Sequence, residues 1–323
     1  MAAKGRSNAA VAVGQGFIGF GLLGIGVVAT LGTILGFFGS TWWLFDFAAN
    51  FRAHLAVVLV LVALAYSLLF SKATGLFFMG IAMINALLVL PLYTSGQAEA
   101  EGDDSMTIVS FSVGQRASIR DATFRWIDQV DADVVILLDS TNAFIDLEEL
   151  VEPYIPQNDL PSDRSFGITV LTKESVETEL IRASEIRDTF VRVEASIGDQ
   201  PVVIYAVKSR PASNASDSDL RDEYLAEIGR MARRETDPTV IVGDFQATPW
   251  SHAFQDLKTS ADFENSMDGF GLQTTWPADS WAFFRIPIDH LLHTSELTTI
   301  DRYLGPAFGV DHRPLVVKLG VAA

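Results

Sequence analysis

The chain has 323 residues, is 49% hydrophobic and carries a formal charge of −17. Cysteine is absent, which excludes a disulfide framework, a thiolate zinc site and a cysteine nucleophile. Residues 1–100 hold only Lys4, Arg6, Arg52 and Lys72 against Asp46 and Glu99, a balance of +2 that leaves −19 on the rest, so two parts suited to different solvents are expected.

Gly16 to Phe38 is an uncharged run of 23 residues. At roughly 1.5 Å per residue it crosses a hydrocarbon core of about 30 Å. Leu55–Phe70 and Gly75–Leu92 are two further uncharged runs, so residues 1–94 read as a three-helix transmembrane anchor. The first run is too long for the core of a signal peptide. Between the first two runs, 41–54 ("TWWLFDFAANFRAH") is rich in Trp and Phe and reads as an interfacial helix on the lipid bilayer. Lys4, Arg6 and Lys72 place the N-terminus on the cytoplasmic side, and three spans then put the remainder on the opposite side, which in a bacterium is the periplasmic side of the inner membrane. Arg52 lies on the wrong side in this scheme, accompanied by Asp46. Gly32 and Gly36 suggest close packing among the chain's own spans, and Asn85 a bond to a neighbouring helix.

Residues 95–105 are small and acidic and read as a linker. Beyond them the pattern alternates. Strands are expected at 106–114, 133–140, 166–173, 190–197, 201–209, 239–242, 288–294 and 314–320. Helices are expected at 116–130 and 218–234, with a short one opening at Pro249 behind a Thr248 cap. This predicts an α/β sandwich over 106–321, two sheets inside and helices outside.

Asp139 and Asp244 end apolar strands, Asp289 sits in "PIDHLL", and Asp311 and His312 form a "VDHRP" turn. Each carboxylate at the end of a buried element needs an ion pair, a hydrogen bond or a metal. Several together point to a hard-cation site of oxygen ligands. His290 and His293 are not a zinc pair, because an offset of three on a strand turns the side chains to opposite faces.

"GDFQATPWS", "TTWP", "PIDHLLHT" and "GVDHRPLVVKL" occur in that order. Together they resemble the endonuclease/exonuclease/phosphatase superfamily and its membrane-anchored bacterial branch. The resemblance implies the DNase I-like four-layered α/β sandwich, preceded here by three transmembrane helices, and Mg²⁺ or Mn²⁺ as cofactor. It implies that Asp244 orients or deprotonates the attacking water, that Asp311 ligates the metal, that His312 contacts phosphate and that Asp289 orients His312. Four other positions depart from the pattern. Ser112 stands for an Asn near the metal, Asp139 for a metal-binding Glu, Lys208 for the catalytic His, and Gln246 for the Asn of the GDFN motif.

Asp139 keeps the charge one methylene short, and Mg²⁺ tolerates little deviation from octahedral geometry. Gln246 moves its amide outward by about one bond, and Ser112 loses a carbonyl acceptor. Lys208 is the gravest change, because an ammonium stabilises phosphate charge but shuttles protons poorly near neutral pH. Two functions follow. One is metal-dependent hydrolysis of a small or lipid-linked phosphoester, with Lys208 as an electrostatic clamp. The other is a catalytically degenerate member serving as a structural or accessory subunit among membrane-complex partner proteins. Binding of a phospho-ligand without turnover lies between them. A domain at −19 is poorly matched to long nucleic acid.

Overall fold

An uncharged apolar stretch in lipid satisfies its backbone internally, as a helix. The N-terminal part is helical: α1 (Ala2–Leu35) runs on into a 3₁₀ turn at Gly36–Thr41, followed by α2 (Trp43–Ala49), α3 (Arg52–Leu69) and α4 (Lys72–Val89). The computed structural model describes residues 2–114, 116–141, 144, 153–157, 167–183 and 188–323, and side chains from Gly16 onward. It divides into two units, Met1–Leu90 and Pro91–Ala323.

In the first unit, Gly16–Thr41, Arg52–Leu69 and Lys72–Val89 are each long and apolar enough to cross a membrane. The Ser71 hydroxyl caps α4 by accepting from the Thr74 N–H at 3.3 Å. The expected 41–54 helix is shorter than its composition suggests. Only Trp43–Ala49 forms it, and Arg52 already opens α3. Arg52 lies on no surface: it is buried. Its guanidinium donates to the Thr33 carbonyl at 2.6 Å and to Asn85 Oδ1 at 3.4 Å, and stacks 4.3 Å from the Phe37 ring centroid. Asn85 in turn donates to Thr33 Oγ1 at 2.8 Å. A Cβ on Gly36 would meet the Arg52 guanidinium at 2.8 Å, so Gly36 makes room for this polar knot. The side chains of Lys4 and Arg6 lie outside the described residues.

The second unit opens with a short helix α5 (Pro91–Thr94), then β1 (Ala100–Ser112), α6 (Arg120–Val130), β2 (Val134–Leu138), β3 (Ile155–Pro156), β4 (Ile168–Thr172), β5 (Glu177–Arg182), β6 (Thr189–Ile197) and β7 (Gln200–Lys208). It continues with α7 (Ala215–Ala232), β8 (Thr239–Asp244), α8 (His252–Ser260), β9 (Glu264–Asn265), β10 (Asp289–His293), β11 (Leu297–Leu304) and β12 (Leu315–Ala322). One sheet has the order β11-β12-β1-β2-β4-β3 and the other β5-β6-β7-β8-β10-β9. The pairs β1–β2 and β7–β8 are parallel, and every other pair is antiparallel.

The apolar runs are continuous because both faces of each sheet are covered. Ile108, Ile136 and Val170 of the first sheet share the central core with Val193, Ile204 and Val240 of the second. Their alternate neighbours Val109, Phe111 and Val135 meet Phe124 and Ile127 of α6. On the other side, Val203, Tyr205 and Ile241 meet Tyr224 and Ile228 of α7 and Phe254 of α8. Helix, sheet, sheet, helix gives the four layers of a DNase I-like α/β fold.

Three local expectations change. The acidic stretch is a linker only to Glu99. Residues 100–105 extend β1, with Ala100 opposite Ala322 and Ser105 opposite Gly320 across an irregularity. Backbone pairing to β12 tolerates the acidic side chains, which point to solvent. The short helix begins at His252 rather than Pro249, because the Ser251 hydroxyl supplies the cap, accepting from Phe254 N–H at 3.3 Å. Strands β5 and β11 fall where no strand was expected, and Phe166, at the head of the expected 166–173 strand, lies outside the described residues.

Candidate functional site

Strand register sets the site. Lys208 stands opposite Asp244 where parallel β7 and β8 end. Asp289 stands opposite Asp244 where antiparallel β10 begins. Three adjacent strand ends therefore deliver Lys208, Asp244 and Asp289 in one row. The first sheet matches them from the ends of its two central strands, with Ser112 paired to Leu138 and Asp139 one residue beyond. The turn before β12 adds Asp311 and His312.

The backbone is specialised at the same places. Gly243 has φ 143°, and a Cβ there would lie 2.0 Å from the Val207 carbonyl oxygen. Only glycine lets β8 approach β7 closely enough to bring Asp244 to Lys208. Asp139 (φ 55°) and Gln246 (φ 51°) are left-handed, a conformation natural for Asp and less so for Gln.

Asp244 is fully buried and heavily bonded. Its Oδ2 lies 2.5 Å from Lys208 Nζ, accepts from Gln246 Nε2 at 2.7 Å, and lies 3.9 Å from His312 Nε2. Its Oδ1 accepts from the Gln246 N–H at 3.0 Å. The Gln246 amide thus folds back onto Asp244 rather than reaching outward. The Lys208 ammonium also lies 2.9 Å from Asp139 Oδ2. It is not a free clamp for phosphate, because both of these carboxylates already hold it. His312 Nδ1 is 2.9 Å from Asp289 Oδ2.

Burial would raise the Asp244 carboxyl, but Lys208, His312 and the Gln246 bond together hold it below the ordinary carboxylate range. Burial would lower the Lys208 ammonium, but Asp244 and Asp139 outweigh that and raise it above an ordinary lysine. Burial would also lower His312, yet the charge and hydrogen bond of Asp289, helped by Asp244, push it up to about 9. At neutral pH the site therefore holds an ammonium, an imidazolium and an ionised Asp244.

Ser112, Asp139, Asp311 and His312 line a cleft of about 250 Å³ together with Arg116, which sequence reasoning missed. Arg116 donates to the Gly309 carbonyl across the cleft mouth. Three supporting residues were also missed. The Thr275 hydroxyl accepts from the N–H groups of Ile288 and Asp289 at 3.2 Å each, fixing the start of β10. The Tyr224 hydroxyl accepts from Lys208 N–H at 3.2 Å, and Arg221 donates to the Gln246 carbonyl at 3.2 Å. Thr275 lies in the quoted "TTWP", and the other two sit mid-helix with no local signal. His290 Nε2 donates to the Ala247 and Pro287 carbonyls, while His293 meets Thr299, so the two do not converge.

Asp244, Asp289 and His312 bring one ligand atom each within 4.8 Å of one another. Ser112 Oγ is buried without a hydrogen-bond partner, and with Asp139 and Asp311 it forms a set of hard oxygen donors. The charge does not fit. The Lys208 ammonium bridges Asp139 and Asp244, and Arg116 lines the same cleft. A dication about 4 Å from an ammonium is repelled by about 8 kcal/mol at an effective dielectric near 20. Either cation fits against these carboxylates, and in this geometry the ammonium is the one in place.

A family model described as "Endonuclease/Exonuclease/phosphatase family" matches residues 119–315. That family generally depends on a divalent metal. The structure is similar to that of a functionally unknown conserved protein from Enterococcus faecalis V583, with a TM-score of 0.58, 15% identity and coverage of 67% of this chain and 100% of that one. It is similar to D. rerio TDP2 complexed with single strand DNA product (TM-score 0.57, 15% identity, 68% and 100% covered). It is also similar to an endonuclease/exonuclease/phosphatase from Bacteroides vulgatus (0.56, 14%, 68% and 100%). At these identities the likeness is one of fold. No curated protein matches by sequence.

Proposed function

The chain belongs to the Endonuclease/Exonuclease/phosphatase family, and from that premise we propose that it is a membrane-anchored, catalytically degenerate member that binds a small or lipid-linked phosphoester without metal-dependent turnover. The observation that carries this is the Lys208 ammonium, hydrogen-bonded to Asp244 at 2.5 Å and to Asp139 at 2.9 Å. A general base must be able to take a proton near the working pH. Asp244 is held below the ordinary carboxylate range and its Oδ2 is already shared by two donors, so it is a weak base. Lys208 holds its proton too tightly to give it to a leaving group.

Binding is another matter. The His312 imidazolium, Arg116 and the Ser112 hydroxyl line the cleft as donors for phosphate oxygens. Asp139 and Asp311 line it too and disfavour a polyanion. A singly charged diester suits this balance. The anchor and the charge of −19 on the rest of the chain favour a membrane setting, in a complex with partner proteins, over long nucleic acid. We place the N-terminus in the cytoplasm and the family domain on the periplasmic side of a bacterial inner membrane.

A second reading, slow hydrolysis, rests on the Asp244–His312–Asp289 cluster staying within 4.8 Å. Hydrolysis of bis-(p-nitrophenyl) phosphate and p-nitrophenyl phosphate by the purified full chain with Mg²⁺ or Mn²⁺ separates the two. Degeneracy predicts rates equal to those of Asp244→Ala. Metal-dependent turnover lost in Asp244→Ala establishes the enzyme instead.

A further inference from the structure

The second unit displays a run of aromatic side chains that its own core does not use. In "WPADSWAFF" (276–284), Trp281 is 82% exposed, Phe284 63%, Phe283 46% and Trp276 38%. An apolar cluster this open marks a contact surface. We propose that Trp276–Phe284 is a membrane-docking loop, seated in the headgroup region of a phospholipid bilayer beside the cleft.

The loop is held, not loose. Trp276 and Ile286 exchange backbone hydrogen bonds at 3.0 and 2.6 Å, and Phe284 N–H donates to the Trp281 carbonyl at 2.8 Å. Arg285 Nε donates to the Ser280 carbonyl at 2.8 Å, closing the base. Phe283 and Phe284 pack edge to face at 5.4 Å, so the outward rings form one patch. The patch is fastened to the cleft. Ala278 N–H donates to the Asp311 carbonyl at 2.7 Å, and Arg313 N–H to the Thr275 carbonyl at 3.0 Å.

The position of the tether identifies the occupant. Leu92, two residues beyond the end of the first unit, accepts from Gly271 N–H at 2.6 Å, and Gln97 Nε2 donates to the Asp268 carbonyl at 2.8 Å. Gly271 is five residues from Trp276, a reach of at most roughly 18 Å. The aromatic loop therefore lies within a short reach of Leu92, at the start of its own unit, where the chain continues from the apolar helices. Trp and Phe are the side chains that settle at a membrane–water interface. Charge agrees. The segment carries only Asp279, and Arg285 at its base lies near enough to Arg313 to lower it by repulsion after burial has done so. Two guanidiniums under an aromatic patch suit lipid phosphates, whereas the acidic remainder of the unit repels an anionic surface. Docking holds the cleft at headgroup level, and it stands whether or not the site turns over phosphoester.

The absence of cysteine makes the test direct. Full-length Phe284→Cys and Trp281→Cys, each labelled with an NBD fluorophore, are reconstituted in phosphatidylcholine vesicles with and without doxyl-labelled lipid. Asp219→Cys, on the exposed face of α7, is the control. Docking predicts blue-shifted emission at 281 and 284, quenched at least twofold by the doxyl lipid, and a water-like, unquenched signal at 219. A water-like signal at both loop positions overturns the proposal. So does a blue shift without lipid quenching, which means protein covers the loop.

Discussion

Lys208 Nζ lies 2.5 Å from Asp244 Oδ2, and the two residues are register partners at the ends of adjacent parallel strands. The same nitrogen reaches Asp139 at 2.9 Å from the other sheet. One ammonium thus joins the two sheets at the point where the family's chemistry is expected.

Removing that ammonium leaves two carboxylates facing each other. Lys208→Met should destabilise the full chain by about 3–5 kcal/mol, as breaking a buried ion pair does. Adding Asp244→Asn should recover part of the loss, which chemical denaturation in detergent reads as a coupling energy. Mn²⁺ should raise the Tm of Lys208→Met, where a cation is missing, and leave the wild type unchanged.

Acidity at His312 gives a pH signature. Its folded pKa of about 9 exceeds the ordinary value of 6.5, so its contribution is fully present below about 6.5 and is lost as pH rises through about 9. Thermal unfolding at pH 6 and pH 9.5 should show a larger loss in the wild type than in His312→Gln. Equal losses in both would show that the Asp289 pair does not hold the proton.

Gly243 permits the close approach of β7 and β8. Gly243→Ala combines a positive φ with a contact 2.0 Å from the Val207 carbonyl. It should cost about 2–4 kcal/mol, summing strain and overpacking. Denaturation midpoints of the purified variant check this, and a cost below about 1 kcal/mol contradicts the packing described.

Gln246 occupies a left-handed position better suited to Asn, yet its amide bonds Asp244. Gln246→Asn trades backbone relief against that bond and should stay within about 1 kcal/mol of wild type. Gln246→Ala loses the bond without the relief and should fall about 1–2 kcal/mol lower. The two variants measured side by side decide whether the amide or the backbone dominates.

Much of this was legible because strand ends announce themselves. Asp139 and Asp244 each close an apolar run and Asp289 opens one, and a buried carboxylate there demands a partner. The partner was harder to read. Lys208 was recognised as a departure, but its direction depends on the register of β7 against β8 and on the distance between sheets, neither of which is local. Arg116, Arg221 and Tyr224 act through contacts made only after folding. Strand β5 was hidden by its charged, solvent-facing residues and β11 by a mixed pattern, because pairing is satisfied by the backbone. Arg52, which sits on the wrong side in the charge-based topology, is the hub of a buried polar knot that no local pattern announces.

On the proposed reading, the Lys208 ammonium takes the place of a divalent cation between Asp139 and Asp244. Titration of Mn²⁺ into the detergent-purified full chain, followed by electron paramagnetic resonance of the free ion, tests it most directly. No stoichiometric binding is expected at millimolar Mn²⁺ in the wild type, and one bound ion in Lys208→Ala. One tightly bound Mn²⁺ in the wild type, lost in Asp139→Ala, would contradict it.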